Sequence, residues 1–421
     1  MPDSSIPTTE LPFEILSSII HLSTSDLSTS LRSYSCDGDL EWELYNRALR
    51  QCAQFRLVDS TWNAVATPTL YSIVVLPAWP LEKSVRCAKA VDYHPEMITA
   101  LIVTGCSNHQ PLDADERQIF GILCSSIGRC TSIDTLYVHL GGNPPQLESR
   151  AEELFGSVQS DRLTSLAIFY PKIETITRAI SGLGTRSSQL EELVLYGVQW
   201  DGTPTEFLHL PSLISLTVHW EWPPGLNCTP FAQFFSILVL GGGDDSPSPL
   251  RDLTISGILD LDVFHITALL SSHKIGISLT SLQVNLPPSL EKSTVFETLP
   301  NTILSLCPAL TRFLYFAWCP VSLLYSLPPR LQEFGVTIVH IAGPGAALLL
   351  TTVTPLIELV QEPLHRKGIQ KLYIQWALYQ PAGAEKKLED ACIAAGIEFS
   401  SVETSIVSGA RPKVFHTIPV V

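Results

Sequence analysis

The sequence predicts an α/β fold in which a short N-terminal helical module precedes an irregular solenoid of parallel strands. Three observations predict it. An apolar pattern recurs along most of the chain, the stretches between its copies are partly helical, and the N-terminal region carries two amphipathic helical segments. A strand followed by a returning helix or loop, repeated every ~20–40 residues, builds a parallel sheet that grows by stacking.

The recurring pattern has the form apolar-x-x-apolar-x-apolar. Its last positions alternate between apolar and polar residues, which is typical of a half-buried strand, and its first apolar residue indicates the turn into that strand. Successive copies begin 21 to 38 residues apart. The eleven copies are LYSIVV (70–75), ITALIV (98–103), IDTLYV (133–138), LTSLAI (163–168), LEELVL (190–195), LISLTV (213–218), LRDLTI (250–255), LTSLQV (279–284), LTRFLY (310–315), LQEFGV (331–336) and IQKLYI (369–374).

The stretches between the copies contain helical periodicity and many Pro or Gly residues, which favour turns. Helices are expected at 116–127, 174–183, 263–271 and 355–360. Near the end of the chain, residues 388–402 predict a helix that stops at Gly396 and a last strand that closes the edge of the sheet. The alternative is an ordinary α/β domain whose parallel strands merely look alike.

The first segment of the N-terminal module is LPFEILSSIIHL, residues 11–22. Its apolar residues fall on one face at helical spacing. Pro12 suits a first helical turn, and Glu14 lies where the helix dipole favours an anion. A helix this short is marginal alone, so we expect it to pack on a partner segment.

The second segment covers residues 45–71 and also carries an apolar stripe. Asp59 or Ser60 can cap a following short helix over 61–66, because both side chains offer an oxygen to the first free N–H groups. Pro68 is expected to stop that helix, since it lacks an N–H and clashes with the preceding turn.

Together these segments resemble an F-box, the helical module of substrate receptors in SCF-type cullin–RING ubiquitin ligases. The family pattern is Leu-Pro-x-Glu-Ile/Leu, then Leu-Val-(Cys/Ser)-x-x-Trp, then an apolar run ending in Leu-Tyr/Trp. The whole chain resembles fungal F-box proteins with degenerate leucine-rich repeats. The matching residues are Leu11, Pro12, Glu14, Ile15, Leu16, Leu57, Val58, Trp62, Ala66, Pro68, Leu70 and Tyr71.

The resemblance implies a three-helix module that docks a Skp-type adaptor, and through it a cullin, while the repeats hold an unknown target protein. Two features depart from the family. Asp59 stands where the family has Cys or Ser, and residues 23–44 form an insertion where the family has a short turn. The Asn or Cys that usually follows the repeat strand is mostly missing. By resemblance, the adaptor-binding residues are Leu11, Pro12, Ile15, Leu16, Leu57, Val58 and Trp62.

Two other interpretations stay open. In the first, the chain is a leucine-rich repeat protein-binding scaffold with no ubiquitin-ligase link, and the N-terminal helices only cap the first repeat. In the second, it is an α/β enzyme whose periodicity has been misread. The expected boundaries are an F-box-like module at 1–72 with its inserted loop at 23–44, a repeat domain at 73–402 and a tail at 403–421.

The repeat domain is expected to contact its target through the sheet and its strand ends. Aromatic side chains at a surface are preferred contact anchors, although they can equally fill loop cores. Polar strand positions expected on the same face include Glu191, Glu192, Arg251, Arg312, Glu333 and Lys371. The aromatic residues near the strand ends are Tyr196, Trp200, Trp220, Trp222, Phe316, Trp318 and Trp376.

Composition restricts the partners and the compartment. The formal net charge is −15, which disfavours general nucleic-acid binding. Ten scattered cysteines without a C-x-x-C pair indicate a reducing compartment. The N-terminus lacks the features of a signal peptide, and no apolar run is long enough to cross a membrane. We therefore expect a cytoplasmic or nuclear protein that contacts no membrane.

No motif for catalysis or for a cofactor stands out. The eleven histidines form neither H-E-x-x-H nor a Cys/His zinc spacing. The Gly-rich stretch 241–245 lacks the Gly-Lys-Ser/Thr of a phosphate loop, and the glycine turn in 336–350 has Leu348 where a dinucleotide fingerprint has glycine. We expect a chain without enzymatic activity, cofactor or bound metal.

Overall fold

The computed structural model describes most of the chain between residues 13 and 403. Residues 24–41 and 404–421, which hold most of the predicted insertion and tail, lie outside the described residues. The described ranges are 13–23, 42–77, 81–104, 113–140, 149–199, 207–220, 230–240, 248–257, 263–271, 275–286, 295–339, 352–362, 368–377 and 383–403.

Twelve parallel strands form one sheet, and their order in the sheet is their order in the chain. Two further short strands, β6 and β8, pair with each other. The strands are β1 (Ile73–Pro77), β2 (Ala100–Thr104), β3 (Thr135–His139), β4 (Ser165–Phe169), β5 (Glu192–Val198), β6 (Leu208–His209), β7 (Ser215–Trp220), β8 (Leu238–Val239), β9 (Asp252–Ser256), β10 (Ser281–Asn285), β11 (Arg312–Trp318), β12 (Glu333–Val339), β13 (Lys371–Ala377) and β14 (Glu398–Glu403).

Helices precede and connect the strands, so the fold is mixed α/β. Each of the four predicted connecting helices is present, extended by up to three residues at either end. The helices are α1 (Phe13–Ser23), α2 (Trp42–Phe55), α3 (Ser60–Ser72), α4 (Leu81–Tyr93), α5 (Asp113–Arg129), α6 (Ala151–Gly156), α7 (Ile173–Leu183), α8 (Pro230–Ile237), α9 (Val263–Ser271), α10 (Ile275–Ser278), α11 (Val295–Leu306), α12 (Ser322–Ser326), α13 (Thr354–Gln361) and α14 (Ala384–Ala395).

All eleven predicted strand segments lie side by side in the large sheet, and the predicted final strand is β14. The recurring sequence pattern is explained by the burial of its apolar side chains. In the copy that forms β5, the three apolar positions Leu190, Leu193 and Leu195 are all fully buried. The predicted parallel sheet is therefore confirmed.

The backbone repeats the same contact at every step from β2 to β13. The carbonyl oxygen of the residue before one strand accepts hydrogen bonds from two consecutive N–H groups at the start of the next strand. Thr164 O, for example, accepts from Glu191 N at 2.8 Å and from Glu192 N at 3.0 Å. This arrangement satisfies the polar backbone groups where the chain enters the sheet.

Pro68 does not stop α3, which continues to Ser72. The prediction was wrong here because the proline ring is exposed, so water can solvate the carbonyl that loses its partner. Leu70, beyond the proline, packs against the core of the N-terminal helices. That packing holds the last turn in helical form.

The main hydrophobic core lies between one face of the large sheet and the connecting helices. Alternation along each strand sends every second side chain to the opposite side, which we call the second face. Its first row consists of residues in direct register across all twelve strands. The first row is Ile73, Ala100, Thr135, Ser165, Glu192, Ser215, Asp252, Ser281, Arg312, Glu333, Lys371 and Glu398.

Candidate functional site

The three N-terminal helices pack around a small core of their own. Leu16 and Ile20 of α1 meet Cys52 of α2 and Val65 and Ala66 of α3, and all five side chains are buried. Both halves of the F-box-like pattern thus fold against each other. We call α1, α2 and α3 the N-terminal module.

A tight turn joins α2 to α3. Leu57 N donates to Gln54 O at 3.0 Å, and Val58 N donates to Phe55 O at 3.1 Å. Asp59 then caps α3, because its Oδ1 accepts a hydrogen bond of 2.9 Å from Trp62 N. Of the two capping residues that the sequence left open, the structure uses Asp59.

Two side-chain contacts hold this turn in place. The ring of Trp62 stacks on that of Phe55 with centroids 5.3 Å apart. Arg56 Nε donates to Asn63 Oδ1 at 2.9 Å, which joins the end of α2 to the first turn of α3. The turn therefore presents its two apolar side chains on a fixed backbone.

The predicted adaptor-binding residues separate into exposed and buried ones. Leu57 is 85% exposed, Val58 59% and Ile15 46%. Leu16 is instead 2% exposed, because the register of α1 turns it into the module core. Trp62 is half-buried against the same core. Leu11 and Pro12 lie outside the described residues.

The module also packs on the large sheet. Ala48 of α2 is buried against Val75, Ala100 and Ile102, which lie on the second face of β1 and β2. Tyr137 of β3 packs at the margin of this cluster. Among the described residues, α2 covers the second face at β1 and β2, and the later strands of that face are the candidate target surface.

A chain of polar contacts crosses the second face from β10 to β13. Arg312 Nε lies 3.1 Å from Oε2 of Glu333 in an ion pair. Arg312 Nη1 donates to Ser281 Oγ at 3.3 Å, and the Tyr373 hydroxyl donates to Oε2 of Glu333 at 3.0 Å. Both charged side chains are less than a third exposed, so their attraction is screened less than on open surface.

A second ion pair follows on the next strands. Lys371 Nζ lies 2.6 Å from Oε1 of Glu398, and the hydrogen bond to Glu398 raises the pKa of the lysine ammonium. Each cation in the first row is thus matched by a carboxylate on the following strand. This end of the second face is electrically balanced within itself.

The aromatic residues predicted to contact a target are buried where their side chains are described. Trp220 and Trp376 point into the main core, and Tyr196 and Phe316 lie on the second face but are only 8% and 6% exposed. The expected exposed aromatic surface is not present at these four positions, so we assign their rings to the packing of the fold.

The other three aromatic residues cannot be placed as contacts. Trp200 and Trp222 lie outside the described residues, and the side chain of Trp318 in β11 does as well.

The structure also places the polar strand positions that were expected on the target-binding face. Glu192, Arg312, Glu333 and Lys371 lie in the first row of the second face, whereas Glu191 and Arg251 precede β5 and β9 and are not in that row.

The pKa of Asp252 predicts a pH-dependent stability difference. Burial raises the pKa of its carboxyl, while the Ser281 hydroxyl and the Arg312 guanidinium act in the opposite direction. A carboxyl whose pKa is raised on folding adds stability below the unfolded pKa of about 3.9, and that contribution is lost as pH rises through the folded pKa. Asp252→Asn removes this loss.

We expect the Asp252→Asn variant to have a higher free energy of unfolding than the wild type at pH 7, and the difference should shrink as pH falls toward 4. Urea titrations at a series of pH values measure both free energies. A variant that is less stable than the wild type at pH 7 would contradict the burial argument.

The described cysteines are protonated at neutral pH. Burial raises the pKa of the thiols of Cys52, Cys124 and Cys392 to about 11, and that of Cys130 and Cys307 to about 12. A protonated thiol is a poor nucleophile and a poor metal ligand. Within the described ranges, no group of three or more His, Cys, Asp or Glu residues is arranged to hold a metal ion.

The comparisons with known proteins leave the family open. No protein-family model matches the chain, and no curated protein matches it either. None of the helices in the described part of the chain combines the length and apolar character that a membrane crossing requires. The function is therefore argued from the site itself.

Proposed function

We propose that the chain is the substrate-recognition subunit of an SCF-type ubiquitin ligase. Its N-terminal module docks a Skp-type adaptor, and through it a cullin. Its repeat domain is a leucine-rich repeat solenoid that holds a target protein on the second face. The chain then contributes proximity, because it holds the target near the enzyme that carries ubiquitin.

The observation that carries the proposal is the apolar turn of the module. Leu57 and Val58 are exposed on a turn whose backbone is held by hydrogen bonds, a cap and a stacked ring pair. Leu57 and Val58 are adjacent, so together they offer one continuous aliphatic surface on a fixed turn. Such residues supply binding energy when a partner buries them.

The order of the strands supports the repeat part of the proposal. From β3 to β13, each step across the large sheet adds one strand, one register-matched polar residue on the second face and one copy of the paired backbone contact. A sheet built this way offers a long row of side chains to a partner. The resemblance to F-box proteins with degenerate leucine-rich repeats supports the same assignment.

The alternative is a leucine-rich repeat scaffold with no ubiquitin-ligase link. The contact of Ala48 with Val75, Ala100 and Ile102 favours it, because this packing shields the first strands as a terminal cap does. The same contact is compatible with adaptor docking, because Leu57 and Val58 remain exposed.

Co-purification separates the two functions. The full chain is expressed with an affinity tag beside a Skp-type adaptor and recovered in the presence of competing cell protein. We expect the adaptor to be recovered in a one-to-one ratio with the chain. A chain that is folded, as judged by a cooperative thermal transition, and recovers no adaptor would favour the scaffold.

A further inference from the structure

The second face has one stretch whose carboxylates form no ion pair within the described residues. α2 covers β1 and β2, and the cations of β11 and β13 are paired with carboxylates of β12 and β14. Between them the first row has hydroxyl groups and two acids but no cation. From β3 to β10 it consists of Thr135, Ser165, Glu192, Ser215, Asp252 and Ser281.

The two acids of this stretch have hydroxyl partners. Ser165 Oγ donates to Oε2 of Glu192 at 2.6 Å, and the Ser281 hydroxyl donates to the carboxylate of Asp252. Arg312, two strands away, attracts the Asp252 carboxylate and donates to Ser281 Oγ, but its ion-pair partner is Glu333. The hydroxyl donors hold the carboxylates in position but carry no positive charge themselves.

Glu192 and Asp252 lie on either side of the same residue. β5 and β9 both pair with β7, and the register places Glu192 and Asp252 opposite Ser215. Neighbouring strands are about 4.8 Å apart, so β5 and β9 are about 9.6 Å apart. The serine hydrogen bonds turn Glu192 toward β4 and Asp252 toward β10, so each carboxylate would take a cation of its own. The next row along these strands has the small residues Val194, Thr217 and Thr254, which are half-buried and do not crowd an approaching chain.

The rim of the same strands is also acidic. Asp134 and Glu191, which precede β3 and β5, are exposed. Arg251, which precedes β9, is an exposed cation whose Nη1 donates to the carbonyl oxygen of Ser278 at 2.8 Å, and the two rim carboxylates outnumber it. These charges, together with the net charge of −15 for the whole chain, make this part of the second face complementary to a basic partner.

We propose that the second face between β3 and β10 binds a protein segment whose Lys or Arg side chains pair with Glu192 and with Asp252. The inference rests on the proposed function, because it names the chemistry of the target that the repeat domain recognises. The raised pKa of Asp252 fits this role, since an arriving cation would offset the cost of ionising a half-buried carboxyl.

Fluorescence anisotropy with labelled peptides tests the proposal. The probes are three peptides of equal length that alternate glycine with arginine, glutamine or glutamate, added to the full-length chain. We expect the arginine peptide to bind, and Glu192→Gln with Asp252→Asn to weaken it at least about tenfold. Glutamine or glutamate peptides that bind as tightly as the arginine peptide would overturn the proposal.

A variant with the same loss of charge is the matched control. Glu82 of α4 and Glu358 of α13 are exposed on helices that pack against the other face of the sheet. Glu82→Gln with Glu358→Gln should leave the affinity for the arginine peptide within about twofold of the wild type. A control variant that loses as much affinity as the first pair would show attraction by net charge alone and overturn the proposal.

A second measurement needs no variant. A lysine-containing form of the basic peptide is joined to wild-type chain with a carbodiimide, which links amines to nearby carboxylates, and the linked residues are mapped by mass spectrometry. We expect links at Glu192 or Asp252, and links confined to helix carboxylates would contradict the proposal. Adaptor recovery is measured on the same preparations, so a missing peptide site and a missing adaptor site are scored separately.

Discussion

A chain with Leu57→Asp and Val58→Asp should bind a Skp-type adaptor about 100-fold more weakly than the wild type, or not at all. Burying an aliphatic side chain of this size contributes about 1.5–3 kcal/mol. The aspartates would lose that contribution and add the cost of desolvating an unpaired charge. The module itself should fold, because both side chains point into solvent and make no core contact.

Ile393→Asp is the matched control for this variant. Ile393 is 67% exposed on α14, far along the chain from the module, so the change has the same chemistry at a different surface. Isothermal titration calorimetry with purified adaptor gives both affinities. Equal affinities for the wild type and the double variant would exclude the turn as the docking surface.

Gly257→Ala should reduce the free energy of unfolding by about 3 kcal/mol or more. Gly257 follows β9 with φ +75°, and a Cβ built on it would lie 2.2 Å from the carbonyl oxygen of Trp220. The three nearest atoms all belong to the backbone of Trp220, so no flexible side chain can move to make room. The substitution therefore combines left-handed backbone strain with an overlap between the ends of β7 and β9.

Gly383→Ala separates these two causes. Gly383 also has φ +75°, but no atom lies within 4 Å of the position its Cβ would take. It should lose only the backbone contribution, about 1–2 kcal/mol. Denaturant titrations of both variants compare the two losses. Similar losses at the two positions would show that the close approach to Trp220 costs nothing.

The strands could be predicted from the sequence because burial imposes the pattern locally. Leu190, Leu193 and Leu195 are fully buried, and the polar residues between them are not. Counting alternate residues along each strand would also have predicted that Trp220 and Trp376 lie in the core. Each lies four residues after a buried leucine on the same strand, so it shares that face.

The packing of α2 on the sheet was missed, although a signal was present. β1 and β2 have apolar residues at almost every position instead of an alternating pattern, which is typical of strands buried on both faces. What covers the second face there depends on packing between distant segments. Sequence periodicity alone does not identify Ala48 as the contact.

Two local errors in the module have the same origin. Leu16 and Pro68 were assigned by resemblance and by general rules, as an adaptor contact and as a helix end. Packing overrides both assignments. The module core buries Leu16, and the contact of Leu70 with that core keeps the turn beyond Pro68 helical. Short helices take their final limits from tertiary contacts.

Hydrogen exchange of the free chain and of the chain mixed with a Skp-type adaptor tests the central claim most directly, because it locates the docking surface without any substitution. The account predicts slower exchange in the turn between α2 and α3, around Leu57 and Val58, and in α1, with unchanged exchange in β9 to β13. Unchanged exchange across the module, or protection confined to the large sheet, would contradict it.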